Sequence, residues 1–109
     1  MRLLIAGVGK LKQGPERALC THYFGRAEAL GRSLGLSPLA VAELPESRAP
    51  TVSGRRSAEA EALLTKLPSD FAVVCLDPGG ERLSSDAFAE TLAARRDSAA
   101  APGLAFVLG

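Results

Sequence analysis

Four short apolar runs, each separated from the next by a longer segment with helical features, constrain the fold of this chain more than any other feature. Runs of four to eight apolar residues bounded by Gly or Pro are typical of buried strands. Their alternation with helices predicts an α/β fold with βαβαβαβ order and a mostly parallel sheet joined by right-handed crossovers. The predicted strands cover residues 2–6, 39–44, 71–76 and 104–108.

Helix boundary signals lie between these runs. Pro15, after Gly14, predicts a helix over residues 15–31, where Pro at the first helical position costs no hydrogen bond. Ser57 is the expected cap of a second helix that ends at Pro68, and Ser84 or Ser85 is the expected cap of a third. Residues 45–56 have two prolines and no apolar period, which predicts a loop.

Length and composition restrict the class of protein. The 109 residues, 47% of them apolar, predict a single α/β domain over residues 1–109. A net charge of +1 argues against a globally polybasic protein. Cys20 and Cys75 lack a close-spaced motif and are expected to be free, mostly buried thiols. With no secretion signal and no segment of eighteen apolar residues, the expected location is the cytoplasm, without a membrane span.

No motif in the chain identifies a catalytic residue. The Gly7-Val8-Gly9-Lys10 segment lacks the spacing of a phosphate-binding loop and of a dinucleotide fingerprint, so it is either a simple turn or a site where Lys10 and Lys12 hold a phosphate as point charges. Asp77 has no acidic pair with which to bind Mg²⁺, and it fits a turn. His22 has no triad partner and no metal pattern, so no metal is expected.

Basic residues offer one further binding hypothesis. Arg26 lies on the first predicted helix, and Arg55 and Arg56 end the predicted loop. Together with Lys10 and Lys12, they are candidate contacts for RNA phosphates. A solvated charged face explains the same residues equally well. The arginines therefore favour neither explanation without other support.

Several motifs occur in a fixed order along the whole chain. They are VGKLK after the first strand, His22-Tyr23 with Arg26, AELP at 42–45, a Leu-Asp turn with Gly-Gly at 76–80, LSSDAFA at 83–89 and FVLG at the end. In this order the chain resembles the RlmH family of SPOUT methyltransferases. Members of that family are small bacterial enzymes that methylate N-3 of a pseudouridine in large-subunit (23S) ribosomal RNA.

The resemblance implies a cofactor, a partner and two site residues. The cofactor is S-adenosylmethionine, and Leu76 and Gly109 match family cofactor-binding positions. The expected partner is large-subunit ribosomal RNA or the ribosome, and family members form homodimers. Members continue with a segment that completes a trefoil knot, so the chain is expected to be a truncated, inactive SPOUT domain. A non-catalytic α/β module that binds RNA or protein and has lost the cofactor site remains the alternative, and a flavodoxin-like or receiver-like domain is a third possibility.

Overall fold

The computed structural model describes residues 1–98 and 100–108, and it confirms the predicted alternation of strands and helices. The elements follow one another as β1 (Arg2–Val8), α1 (Pro15–Leu34), β2 (Leu39–Leu44), α2 (Val52–Lys66), β3 (Ala72–Leu76), α3 (Ser85–Ser98) and β4 (Gly103–Leu108).

The four strands form one parallel sheet in the order β2-β1-β4-β3. The last strand in sequence is therefore central, and Leu108 pairs with Gly7 on one side and with Leu76 on the other. Because all strands point the same way, their carboxyl ends meet at one edge of the sheet. We call this edge, formed by Val8, Leu44, Leu76 and Leu108, the carboxyl edge.

The helices lie on both faces of the sheet. On one face, α2 places Leu63 against Ala6 and Leu44, and these three residues form the buried core of that face. On the opposite face, α1 and α3 are neighbours, because the guanidinium Nη1 of Arg96 donates a hydrogen bond to the carbonyl oxygen of Leu34 at 2.9 Å. A hydrogen bond from Arg96 also lowers the pKa of Asp97 below its ordinary value.

Helix α2 begins five residues before the predicted Ser57 cap. The hydroxyl oxygen of Thr51 accepts a hydrogen bond from the backbone N–H of Gly54 at 2.9 Å, so Thr51 is the N-cap. The predicted loop over 45–56 was therefore wrong at its end, and Arg55 and Arg56 lie on a helix. The misleading signals were Gly54 and the absence of an apolar period in the first turn, which is largely exposed.

Helix α1 continues one turn beyond its predicted end at residue 31. Gly31 is buried inside the helix, and the backbone N–H of Leu36 donates to its carbonyl oxygen at 2.8 Å. The helix ends at Gly35, which has a φ of 71° and is the left-handed residue of the C-cap. In contrast, the prediction for α3 is confirmed, since the Ser84 hydroxyl accepts from the N–H of Ala87 at 3.1 Å.

The two cysteines are free, as expected, but they are less buried than expected. Cys75 is exposed and Cys20, on α1, is half-buried, so the prediction of mostly buried thiols was wrong. For Cys75 the reason is the strand order, which leaves one side of β3 without a strand partner in the described residues. Strand β4, by comparison, is paired on both sides and is buried from Gly103 to Phe106.

Candidate functional site

The loop after β1 carries the first candidate binding residues at the carboxyl edge. Gly9 turns the chain with a φ of 95°, a conformation that favours glycine, and its N–H donates to the carbonyl oxygen of Leu44 at 2.6 Å. Lys10 and Lys12 follow directly and are exposed. The structure thus places both lysines at the end of the strand, as the sequence predicted.

An ion pair holds this loop against β2. Glu43 accepts a hydrogen bond from Arg17 Nη1 at 2.6 Å through one carboxylate oxygen and from the Leu11 N–H at 3.0 Å through the other. Arg17 Nη1 also donates to the Leu11 carbonyl oxygen at 3.2 Å. Both backbone polar groups of Leu11 are therefore bonded to one ion pair.

The loop after β3 forms a tight turn at the same edge. The Gly80 N–H donates to the carbonyl oxygen of Asp77 at 2.9 Å, which confirms the turn predicted at this position. Leu76, the predicted cofactor contact, is the last residue of β3 and is 45% exposed. Residues 75–78 line two cavities, one on each face of the sheet, and we call these four residues the shared wall.

The first cavity lies between α3 and the ends of β3 and β4, and its volume is about 530 Å³. Apart from the shared wall, its lining is mostly apolar, with Glu81, Thr91 and Arg95 as polar members. Phe88 of α3 and Phe106 of β4 contact each other across it, with ring centroids 5.6 Å apart. We call this space the α3-side cavity.

The second cavity lies beside α2, and its volume is about 570 Å³. Its lining combines the apolar residues Val8, Leu63 and Val107 with the charged residues Arg56 and Glu59. We call it the α2-side cavity. Arg56 therefore faces the shared wall from the first turns of α2, a position that the predicted loop did not indicate.

The remaining predicted residues do not all join this site. Arg55 is partly buried, and its Nη1 donates to the carbonyl oxygen of Ala49 at 3.1 Å. Arg26 lies over the Tyr23 ring at 5.8 Å, about 16 Å along α1 from the start of the helix, so the structure does not bring it to the carboxyl edge. Gly109 lies outside the described residues.

The described part of the chain offers no candidate metal centre and no candidate membrane-spanning helix. In residues 1–98 and 100–108, no group of three or more His, Cys, Asp or Glu side chains is arranged to hold a metal ion. None of the helices in this part of the chain combines the length and the hydrophobicity that a bilayer crossing requires.

Comparison with known proteins decides the family. The model of a family described as "Predicted SPOUT methyltransferase" matches residues 1–109. The chain belongs to the SPOUT methyltransferase family. Curated relatives place it with the RlmH members of that family, as the motifs of the sequence suggested.

Three relatives in the RlmH group illustrate the similarity, and each is named "Ribosomal RNA large subunit methyltransferase H". The chain is 47% identical to that of Xanthobacter autotrophicus, 48% to that of a Methylobacterium species and 48% to that of Rhodopseudomonas palustris. Each match covers 100% of this chain and 68%, 67% and 68% of the relatives, respectively. The chain therefore spans about two thirds of the length of these SPOUT relatives.

The sequence did not indicate one polar residue of the candidate site, Glu43. Glu43 was part of the AELP motif but had no assigned role, although it joins Arg17 to the lysine-bearing loop. The available signal was its place next to the last residue of β2, where an acidic side chain interrupts an apolar strand just before Pro45. Its partner Arg17 is distant in sequence, so the contact itself could not be predicted.

Proposed function

We propose that this chain provides one wall of the cofactor site and part of the RNA-binding surface of an S-adenosylmethionine-dependent methyltransferase. The proposed reaction is methylation at N-3 of a pseudouridine in large-subunit ribosomal RNA. The observation that supports it most is the position of Leu76, on the shared wall at the carboxyl edge of a SPOUT sheet. In open parallel sheets, ligands bind at this edge.

The residues present fit such a cofactor in part. The α3-side cavity, at about 530 Å³, has the size and the apolar lining of a small-molecule site, and Leu76 with Phe88 offers surfaces for an adenine ring. Asp77 is the polar residue nearest to Leu76 on the shared wall, and its carboxylate could hold the hydroxyl or ammonium groups of the ligand. When bound, the cofactor supplies a sulfonium methyl group. The chain then has to hold the attacking base in line with that methyl group and exclude water.

The RNA would approach along the same edge. Lys10 and Lys12 are exposed on the loop after β1, and Arg56 faces the shared wall from α2. These three cations lie at the same edge of the sheet as the proposed cofactor position, so phosphates bound by them would bring RNA to this edge. Arg55 would support Arg56 by fixing the turn before α2. Arg26 would contact RNA only beyond this edge.

A homodimer would use a different surface, the exposed side of α1. Four apolar residues lie within about 60° of one another around this helix, and each is at least half exposed: Leu19, Tyr23, Leu30 and Leu34. Their spacing of four, seven and four residues reads the same in both directions, so two antiparallel copies would place Leu19 opposite Leu34 and Tyr23 opposite Leu30. Sedimentation velocity of the wild-type chain and of Tyr23→Glu tests this surface.

We place the protein in the cytoplasm, with its ribosomal substrate, and treat residues 1–109 as a single α/β domain. By themselves, these residues are expected to bind the cofactor weakly and not to transfer the methyl group. Methyl transfer would also need the remaining third of the length of the RlmH relatives, which lies outside the matched segment. The wall around Leu76 is otherwise open to solvent on both faces of the sheet.

A chimera tests this function. In the Xanthobacter relative, the matched segment is replaced by this chain, and the product is incubated with large-subunit ribosomal RNA and a methyl-labelled cofactor. Nuclease digestion and mass spectrometry then identify the modified nucleoside. We expect labelled N-3-methylpseudouridine, and we expect Leu76→Ala to lower the rate about tenfold through a weaker cofactor contact.

Leu64→Ala is the matched control, because Leu64 is 69% exposed on α2 and lies outside both cavities. Its rate should equal that of the unsubstituted chimera. A folded chimera that binds RNA without transferring a methyl group would contradict the proposal and favour a non-catalytic RNA-binding module. The flavodoxin-like alternative is excluded by the family match and by the strand order β2-β1-β4-β3.

A further inference from the structure

We propose that Arg17 and Glu43 are positioning residues that hold Lys10 and Lys12 ready to bind RNA phosphates. This inference rests on the proposed RNA substrate and adds two residues to its recognition. Arg17 donates to Glu43 at 2.6 Å, the Leu11 N–H donates to Glu43 at 3.0 Å, and Arg17 donates to the Leu11 carbonyl oxygen at 3.2 Å. We call this arrangement the Leu11 clamp.

The clamp fixes the residue that lies between the two lysines. Both the N–H and the carbonyl group of Leu11 are bonded to the ion pair, whereas its side chain is 44% exposed and lines a cavity beside α1 and β2. Leu11 is thus held through its backbone donor and its backbone acceptor. Lys10 and Lys12, on either side, remain exposed.

A purely stabilising role explains this geometry less well. The Arg17 and Glu43 side chains are 46% and 28% exposed, and ion pairs this accessible contribute little to global stability. The expected effect on RNA binding is larger than the effect on global stability. A loop that is already held in one conformation loses less conformational entropy when its side chains bind a ligand. In addition, Arg17 already bonds to Glu43 and to the Leu11 carbonyl oxygen. Lys10 and Lys12 are therefore the cations of this loop that we expect to bind phosphates.

The test compares two double variants that each remove one ion pair and leave the net charge unchanged. Arg17→Ala with Glu43→Ala removes the clamp, because alanine offers no side-chain donor or acceptor. Arg32→Ala with Glu28→Ala removes an exposed i, i+4 pair on α1 and serves as the matched control. Binding to a fluorescein-labelled single-stranded oligouridine is measured by anisotropy over a range of salt concentrations, with the full 109-residue chain.

Removal of the clamp should weaken binding about fivefold, and the control should bind like the wild type. The salt dependence should stay as in the wild type, because the lysines still reach the phosphates. A direct Arg17–phosphate contact would instead lower the slope by about 0.7. In a background with Lys10→Ala and Lys12→Ala, removal of the clamp should have no further effect.

Hydrogen exchange at the Leu11 amide supplies a readout that does not depend on RNA. Exchange should accelerate on removal of the clamp, with the melting temperature close to that of the control. Faster exchange with unchanged RNA affinity would overturn the positioning role, and so would a lowered salt slope or a wild-type chain that does not bind the RNA. Methyl transfer by the chimera is a separate measurement, so a failure of the positioning role and a failure of the proposed methyl transfer can be told apart.

Discussion

The two faces of the sheet differ in how their helices pack, although each face has a cavity at the carboxyl edge. On the α2 face, Leu63 seals a buried cluster with Ala6 and Leu44. On the other face, none of the residues of α3 is buried, and a cavity of about 530 Å³ separates part of that helix from β3 and β4. The α2 face of β1 and β2 therefore supplies rigidity, and the region around β3 and α3 supplies accessible apolar surface.

This difference indicates how a small SPOUT chain could combine stability with the proposed ligand site. A packed core resists deformation, whereas a binding surface has to remain open until its ligand arrives. The shared wall at 75–78 belongs to the open region, although β3 is held in the sheet by pairing with the buried strand β4. Leu76 is thus an exposed residue on a fixed backbone.

The largest effect is expected from Leu63→Ala. Leu63 is 9% exposed, so its truncation removes buried contacts and leaves a cavity, and the free energy of unfolding should fall by about 2–4 kcal/mol. Leu64→Ala, at the neighbouring exposed position, should change it by less than about 0.5 kcal/mol. Guanidinium denaturation followed by circular dichroism measures both variants. Equal losses would mean that the α2 face is not the packed one.

Phe88→Ala probes the open region. Phe88 is 39% exposed and lines a cavity that is already accessible, so the substitution should lower the free energy of unfolding by only about 1–1.5 kcal/mol, well below the cost for a buried Phe. The same denaturation experiment applies. A loss larger than that of Leu63→Ala would indicate that α3 closes onto the sheet in solution, and the contrast between the faces would disappear.

Thr51→Ala tests where the α2 face begins. The loss of the bond between the Thr51 hydroxyl and the Gly54 N–H should cost about 1 kcal/mol of stability. Ser57→Ala is the matched comparison, since Ser57 lies inside the helix and alanine has the higher helix propensity there. Its effect should be near zero or slightly stabilising. A larger loss of stability for Ser57→Ala than for Thr51→Ala would indicate that Ser57 is the N-cap of α2, as the sequence predicted.

Local sequence patterns were sufficient to predict the element order, but not the strand order. Apolar runs bounded by Gly and Pro located β2 exactly at Leu39–Leu44, and the alternation with helices predicted the parallel sheet. The position of β4 between β1 and β3 depends on long-range pairing that no local pattern encodes. The exposure of Cys75 was missed for the same reason, because it follows from β3 lying at the edge of the sheet.

The candidate site was predictable to the extent that it depends on strand ends. Lys10 and Lys12 follow from the rule that ligands gather at the carboxyl ends of parallel strands, whereas Leu76 was expected from the resemblance to the RlmH family. The contact between Arg17 and Glu43 joins residues of different elements, and the cavity position of Arg56 depends on where α2 begins. Both features required the tertiary structure.

In the proposed site, the shared wall around Leu76 contacts the cofactor while the buried core of the α2 face serves only as support. The most direct test is a titration of the chain, labelled with ¹³C at the leucine methyl groups, with S-adenosylmethionine. We expect weak, saturable binding with a Kd on the order of 1 mM, with the largest shifts at the Leu76 methyls and none at those of Leu44, which belongs to the buried core and lines neither cavity. Binding that shifts Leu44 and leaves Leu76 unchanged, or no binding at millimolar concentrations, would contradict a cofactor contact at Leu76.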